Sequence, residues 1–196
     1  MKALDLPDLH RVAGRGPVLI RPLAPQDAAR FQAFVHELSP HSRRLRFQNG
    51  VSELSPGLLD SLLRPGEPPA AAFVACAAGF AYEPIVGEAR YARSLDQSDA
   101  VEIAFVVVDH WQRHGLGTAL LARLLAHARR SGIRRVHGDA LQDNAVALRL
   151  LRRFGFQARR HPEGAWLTRM ELELLSSSAP PRTAGREGPR TRALSC

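Results

Sequence analysis

The sequence predicts an α/β domain built on a single sheet, and three observations carry that expectation. Stretches with strand-like alternation and stretches with helical spacing interleave along most of the chain. Val101–Val108 is apolar on both of its faces beyond Glu102, which marks a central strand covered on two sides. That strand runs into a short loop holding Gly115 and Gly117, and a long amphipathic helix follows at once.

Residues 1–15 show no sustained period and read as a loose lead-in. Val18-Leu19-Ile20-Arg21-Pro22 is a first strand stopped by proline. From Pro25 a helix sets Ala28, Phe31, Phe34, Val35 and Leu38 on one face. Ser39-Pro40 starts a second helix, with Ser as N-cap and Pro at the first helical position. Its apolar stripe includes Leu45, while Arg43, Arg44 and Arg46 largely face out. Ser55-Pro56 repeats the signal for a short helix ending near Arg64-Pro65-Gly66. Ala70–Phe80 and Pro84–Ser94 are strands, with Tyr82-Glu83-Pro84 as the turn between them. In the next strand Val101, Ile103, Phe105 and Val107 share one face, and Glu102, Ala104, Val106 and Val108 the other.

The helix after Gly115 turns Gly117, Leu120, Leu121, Leu124, Leu125 and Ala128 inward, places Arg123, His127 and Arg130 on the opposite side, and closes at Ser131-Gly132. Arg134–Leu141 is strand-like. A helix follows from Asp143 to Phe154, with Ala147, Leu150, Leu151 and Phe154 inward and Gly155 as its stop. Trp166–Leu175 makes a last strand, and the Ser, Pro, Gly and Arg of residues 176–196 read as a disordered basic tail.

A chain of 196 residues suits one domain with a sizeable core. Cys76 and Cys196 give no disulfide framework, so a reducing cytoplasm is the expected location. No signal-peptide core and no run of transmembrane length occur, so no membrane partner is expected. The formal net charge of +8 is carried almost wholly by arginine, Lys2 being the only lysine. The aromatic-basic interleaving of single-strand binders is missing, which argues against a specific nucleic-acid partner.

The glycine loop carries the chemistry. Backbone N–H groups at a helix N-terminus point outward with partial positive charge, and glycines let that backbone approach a ligand closely. A pyrophosphate-bearing ligand is the expectation. A dinucleotide fingerprint needs a third Gly or Ala where Leu120 stands, and no Gly-Lys-Ser/Thr follows for a nucleoside-triphosphate loop.

Gln112-Arg113-His114-Gly115-Leu116-Gly117 resembles the Gln/Arg-x-x-Gly-x-Gly/Ala signature of the GNAT superfamily of N-acetyltransferases. The order of elements is similar to that family over residues 16–175. Ile20-Arg21-Pro22-Leu23 with Asp27, Leu38-Ser39-Pro40-His41-Ser42-Arg43-Arg44-Leu45-Arg46-Phe47, and Gly132–Asp139 followed by Asn144, Leu148, Leu150 and Phe154-Gly155-Phe156 resemble bacterial protein-lysine acetyltransferase domains. The chain departs from those members at Ala147, where Met is frequent, and at Asp139, where Glu is.

The resemblance implies a GNAT fold, a central mixed and mostly antiparallel sheet flanked by helices on both faces. It implies acetyl-CoA as co-substrate, gripped at the pyrophosphate by the amides of Gln112, Arg113, His114, Gly115, Leu116, Gly117 and Thr118. It also implies contacts to the thioester and pantetheine arm from Val106, Val107 and Val108 on a splayed strand, and from Asn144. A lysine near pKa 10.4 must lose a proton before it attacks. Glu102 occupies the family's catalytic-glutamate position, and partial burial there would raise its pKa toward the working range.

Many small-molecule members carry a tyrosine acid where this chain has Leu151. Asp139, sharing a strand face with His137, is the second acid–base candidate. His110, His114 and His127 lack metal-ligand spacing, so no metal is expected. The expected acceptor is a primary amine, a protein lysine first, in a basic half around His36, His41, Arg43, Arg44 and Arg46. A small-molecule amine acetyltransferase and a non-catalytic acyl-CoA-binding regulator are the alternatives.

Overall fold

A computed structural model describes residues 7–47, 53–64, 69–79, 82–95 and 99–174. The tail expected over 176–196 lies outside them, as do residues 1–6 of the lead-in. Among the described residues eight strands form one sheet: β1 (Asp8–Val12), β2 (Gly16–Pro22), β3 (Ala71–Ala77), β4 (Ile85–Arg93), β5 (Ala100–Val107), β6 (Arg135–Leu141), β7 (Gln157–Arg160) and β8 (Leu167–Glu173). Their order across the sheet is β1-β2-β3-β4-β5-β6-β8-β7. Neighbours are antiparallel except β5 and β6. Parallel neighbours need a crossover, and helix α4 (Leu116–Arg130) supplies it.

The helices α1 (Ala28–Glu37), α2 (Pro40–Phe47), α3 (Pro56–Leu63) and α5 (Ala145–Arg153) complete the layers. Alternation along β4 shows which face each covers. A Cβ on Gly87 would meet Leu120 of α4, whereas its neighbour Glu88 meets Arg46 of α2. Helices therefore pack on opposite faces of the sheet, as the sequence predicts. Phe31, Phe34, Val35 and Leu38 bury against one face, and Leu120, Leu121, Leu124 and Leu125 against the other. Each such side chain contributes roughly 1.5–3 kcal/mol on burial.

Several elements differ from the expectation. Residues 8–12 are not loose: they pair with β2 as an edge strand, joined through Gly14 and Gly16 at positive φ. The short strand β7 was not visible in the pattern, because Gln157-Ala158-Arg159-Arg160 is exposed throughout and needs no apolar alternation. His127 does not face out from α4; its Nδ1 lies 2.8 Å from the Tyr91 hydroxyl over the sheet. In α5 the fully buried positions are Leu148 and Leu151, with Leu150 half-buried.

Asp27 anchors the start of α1. Its carboxylate, with no exposed side-chain area, accepts from Arg21 at 2.7 and 2.8 Å, from the Ala24 N–H at 3.0 Å, and pairs with Arg30 at 2.8 Å. Burial pushes this carboxyl up, but the Arg21 hydrogen bonds, the Ala24 amide and Arg30 together hold it below the usual range. The lowered value means the pairing stabilises the fold fully above the unfolded carboxylate pKa of about 4 and is lost as pH falls through the folded value.

Asp27→Asn is expected to cost about 3–5 kcal/mol at neutral pH by leaving Arg21 without its partner. Urea denaturation checks this, and the gap from wild type should narrow as pH drops below about 4. Gly138→Ala is the second expectation. Its methyl would lie 2.9 Å from Ile103 Cγ1 and 3.2 Å from the Ile103 carbonyl, where β5 and β6 approach. A loss of about 1–3 kcal/mol should be read by thermal denaturation.

Candidate active site

The loop after β5 is built from its own backbone outward. Trp111 is buried and pins a 3₁₀ turn at Asp109–Trp111, with Trp111 N–H donated to Val108 O at 2.8 Å. Gln112 then sends Nε2 back to Val107 O at 2.9 Å and to Ser42 Oγ at 3.2 Å. His114 folds over the same loop, its Nδ1 at 2.6 Å from Gln112 O, so that nitrogen carries the proton. Arg113 has φ 61° and Gly115 φ 85°; two successive reversals turn the chain into α4. At Gly115 a left-handed N-cap suits glycine, and no side chain caps the helix there. The first intrahelical bond is Ala119 N–H to Gly115 O, so the Leu116, Gly117 and Thr118 amides stand at the open helix start.

A second set of bonds ties this loop to the opposite face. Asp109 accepts from Ser39 N–H at 2.9 Å, Ser39 Oγ at 2.7 Å and Ser42 Oγ at 2.9 Å. Partial burial would raise that carboxyl, but the Ser39 and Ser42 donors outweigh it and hold it below the ordinary range. The N-cap serine expected at position 39 therefore does more than start α2. It fixes α2 against the glycine loop.

Between these parts lies a groove of about 480 Å³. Its origin is the split of the sheet: β5 pairs with β6 only over Ala100–Glu102 and Arg135–His137. On its other edge β5 stays paired with β4 throughout, Val108 N–H still donating to Val86 O at 3.0 Å. That bond fixes which amides are free for a ligand. Antiparallel alternation turns Val106 and Val108 toward β4, and Phe105 and Val107 toward the gap. The expectation of unpaired amides at Val106 and Val108 is corrected accordingly, and Phe105 is the position it missed.

Of the expected ligand contacts, Val106, Val107, Gln112, Arg113, Gly115, Gly117, Thr118 and Asn144 line the groove. The Val108 and Leu116 side chains are buried away from it, the Leu116 amide standing at the open helix start, and His114 is turned onto its own loop. Asn144 Oδ1 caps α5 by accepting Ala147 N–H at 3.1 Å, and Arg149 and Arg153 of that helix add positive charge along the wall.

Glu102 is exposed, four residues before Val106 and on the same face of β5; the partial burial expected for it does not occur. Asp139 is not poised in the groove either. It accepts from Arg169 at 2.9 and 2.8 Å and from His161 Nε2 at 2.9 Å. Burial would raise this carboxyl, yet the Arg169 and His161 hydrogen bonds keep it below the usual range. Such bonding fits a fixed structural anion and not the proton carrier expected there.

The arginines of α2 are also not the free basic wall that was expected. Arg43 donates to Val35 O and His36 O at 3.5 and 3.2 Å, and Arg44 pairs with Asp143 at 2.7 Å. Arg46 turns inward to Glu88, at 3.4 and 3.3 Å, and lines the groove. Glu88 is 1% exposed and also takes Arg90 Nε. Burial alone would neutralise it, but Arg90 and Arg46 hold it ionised and below the ordinary carboxylate range. Neither the burial of Glu88 nor its arginine partner from α2 was readable in sequence, because both depend on α2 packing over β4.

Comparison with known proteins agrees with this geometry. The family model described as Acetyltransferase (GNAT) family matches residues 35–156. An acetyltransferase of Pseudomonas aeruginosa is 34% identical over 146 residues, 74% of this chain and 78% of that protein. The GNAT domain of PAT from S. lividans superposes with a TM-score of 0.74 at 24% identity, over 86% of this chain and 97% of that one. The acetyltransferase yncA from Salmonella typhimurium, solved with acetyl-CoA, gives a TM-score of 0.65 at 22% identity, over 84% and 98%. With the split strand, the glycine loop at an uncapped helix start and these likenesses together, the chain belongs to the acetyltransferase (GNAT) family and is an acetyl-CoA-dependent N-acetyltransferase.

Proposed function

We propose that the acceptor is the ε-amine of a protein lysine and that Glu102 is the general base. The observation that carries this reading is the exposure of Glu102 on the open sheet face, beside the groove and not inside it. Sites for small molecules commonly bury 70–90% of their ligand. A base at the surface instead meets an amine presented by another surface. The resemblance of the α1–α2 and β6–α5 sequences to protein-lysine acetyltransferase domains supports the same acceptor.

The chemistry follows from the placement of the chain's groups. The amides of Gly115, Gly117 and Thr118, with Arg113, hold the pyrophosphate at the positive end of α4. Phe105 and Val107 N–H groups face the acyl arm in the gap between β5 and β6. Glu102 accepts a proton from the lysine ammonium, directly or through one water. The amine lone pair then attacks the thioester carbon and the C–N bond forms; the nitrogen gives its second proton to water as the C–S bond breaks with its electron pair on sulfur.

Glu102→Gln should lower kcat/KM by about 10²–10⁴-fold in a continuous thiol-release assay. CoA affinity by calorimetry should stay within about twofold, because Glu102 does not line the groove. Unchanged turnover would remove Glu102 from this role. For the acceptor, radiolabelled acetyl-CoA with a cell lysate should place label on protein lysines, read by mass spectrometry. Label confined to small amines would establish the small-molecule reading instead.

A further inference from the structure

We propose that Arg46 stabilises the thiolate that leaves when the acyl group moves to the acceptor, a role that rests on the groove being the acetyl-CoA site. Cleavage of the C–S bond leaves its electron pair on sulfur, and a thiol of ordinary pKa near 8.5 yields an anion at that moment. Something in the groove must offset that charge. Beside Val106 and Val107 the lining groups include Leu45, Phe105 and Leu150, which carry no charge and no proton to give. Ser42 Oγ is committed to Asp109, and Gln112 Nε2 to Ser42 and Val107 O. On the α2 wall of the groove, opposite the glycine loop and α5, His41 and Arg46 remain.

Arg46 is the better placed of the two. Its side chain is 11% exposed, whereas His41 is exposed on the first turn of α2. Glu88 holds the guanidinium by Nε and Nη2, and Glu88 stands directly across the ladder from Val106 on the same face. The cation is thus level with the strand segment that faces the acyl arm. Nη1 is the donor edge Glu88 does not take.

The local charge count fits the reaction. Arg46 and Arg90 share one carboxylate, Glu88, and Arg90 Nη2 is buried with no hydrogen-bond partner among the described residues. That cluster carries one excess positive charge in a desolvated position, where fields act strongly. Glu102, further along the same face, sets a negative charge against Arg46 at rest. Once Glu102 has taken the amine proton, the excess reappears as the sulfur becomes negative. Arginine does not release its proton, so it acts by charge and hydrogen bonding, and the thiolate later takes a proton from water.

The test is the titration of the thiol of free CoA bound to the intact protein, read by thiolate absorbance, with desulfo-CoA as the binding control. In the wild type the bound thiol should titrate about one pH unit below free CoA, which is a tenfold preference for thiolate. Arg46→Met should abolish that displacement while desulfo-CoA affinity changes by less than about twofold, and Arg46→Lys should retain most of it. His41→Asn should leave it in place. A wild-type bound thiol that titrates like free CoA would overturn the proposal, as would a displacement that survives in Arg46→Met or disappears in His41→Asn. If Arg46→Met fails to fold, Arg46→Gln takes its place with the same expected loss of the displacement, and a displacement that survives there overturns the proposal. Normal desulfo-CoA binding with no thiol displacement overturns the role of Arg46 alone; failure of both ligands to bind overturns the groove assignment and this role with it.

Discussion

The short parallel pairing of β5 with β6 is the constraint on which the molecule depends. The two strands share a ladder for three residues, Ala100–Glu102 with Arg135–His137, and then part. Gly138 stands where they part, close enough to Ile103 that a side chain would collide with its Cγ1 and crowd its carbonyl. On its far edge β5 remains laddered to β4, so the split cannot close by sliding the strand across. One edge of β5 is thereby left facing a gap, and a buried backbone edge requires a partner. A ligand arm able to accept from those amides is the natural one, and the glycine loop at the end of β5 is positioned to hold the rest of it.

A second theme is how the chain handles anions inside a structure whose cations are nearly all arginine. Asp27 sits between Arg21 and Arg30, Glu88 between Arg46 and Arg90, and Asp139 between Arg169 and His161. Guanidinium suits this use, since its planar fork bonds a carboxylate at two points and it stays charged when desolvated. One consequence is that a basic stretch of sequence is not a basic surface. Arg43, Arg44 and Arg46 are consumed in joining α2 to α1, to the β6–α5 loop and to β4. Attraction of an acidic partner by that helix is correspondingly weaker than its composition suggests.

Elements governed by local rules were legible. Apolar spacing located α1, α4 and the central strand, Ser-Pro pairs located the starts of α2 and α3, and Gly115 and Gly117 located the cradle. Elements governed by partners were not. β1 and β7 are edge strands whose residues satisfy the sheet through backbone pairing, so their side chains carry little period. His127 reads as an outward polar residue until Tyr91 is placed beneath it. The same applies at the site, where Gln112 and Asn144 were read as ligand contacts and each turns out to bond its own scaffold as well.

The amino-acid sequence by itself determined the class of fold and the glycine loop, because each rests on residues adjacent in the chain: a strand, two glycines and a helix start. Tertiary structure alone decided which amides of β5 face the gap, that Glu102 is exposed, that Asp139 is a fixed anion, and that Arg46 points into the groove. The physical reason is common to all four. Ladder parity, burial and ion pairing are set by groups far apart in sequence, and the bonds from Glu88 to Arg46 and from Asp109 to Ser39 cross 42 and 70 positions of chain.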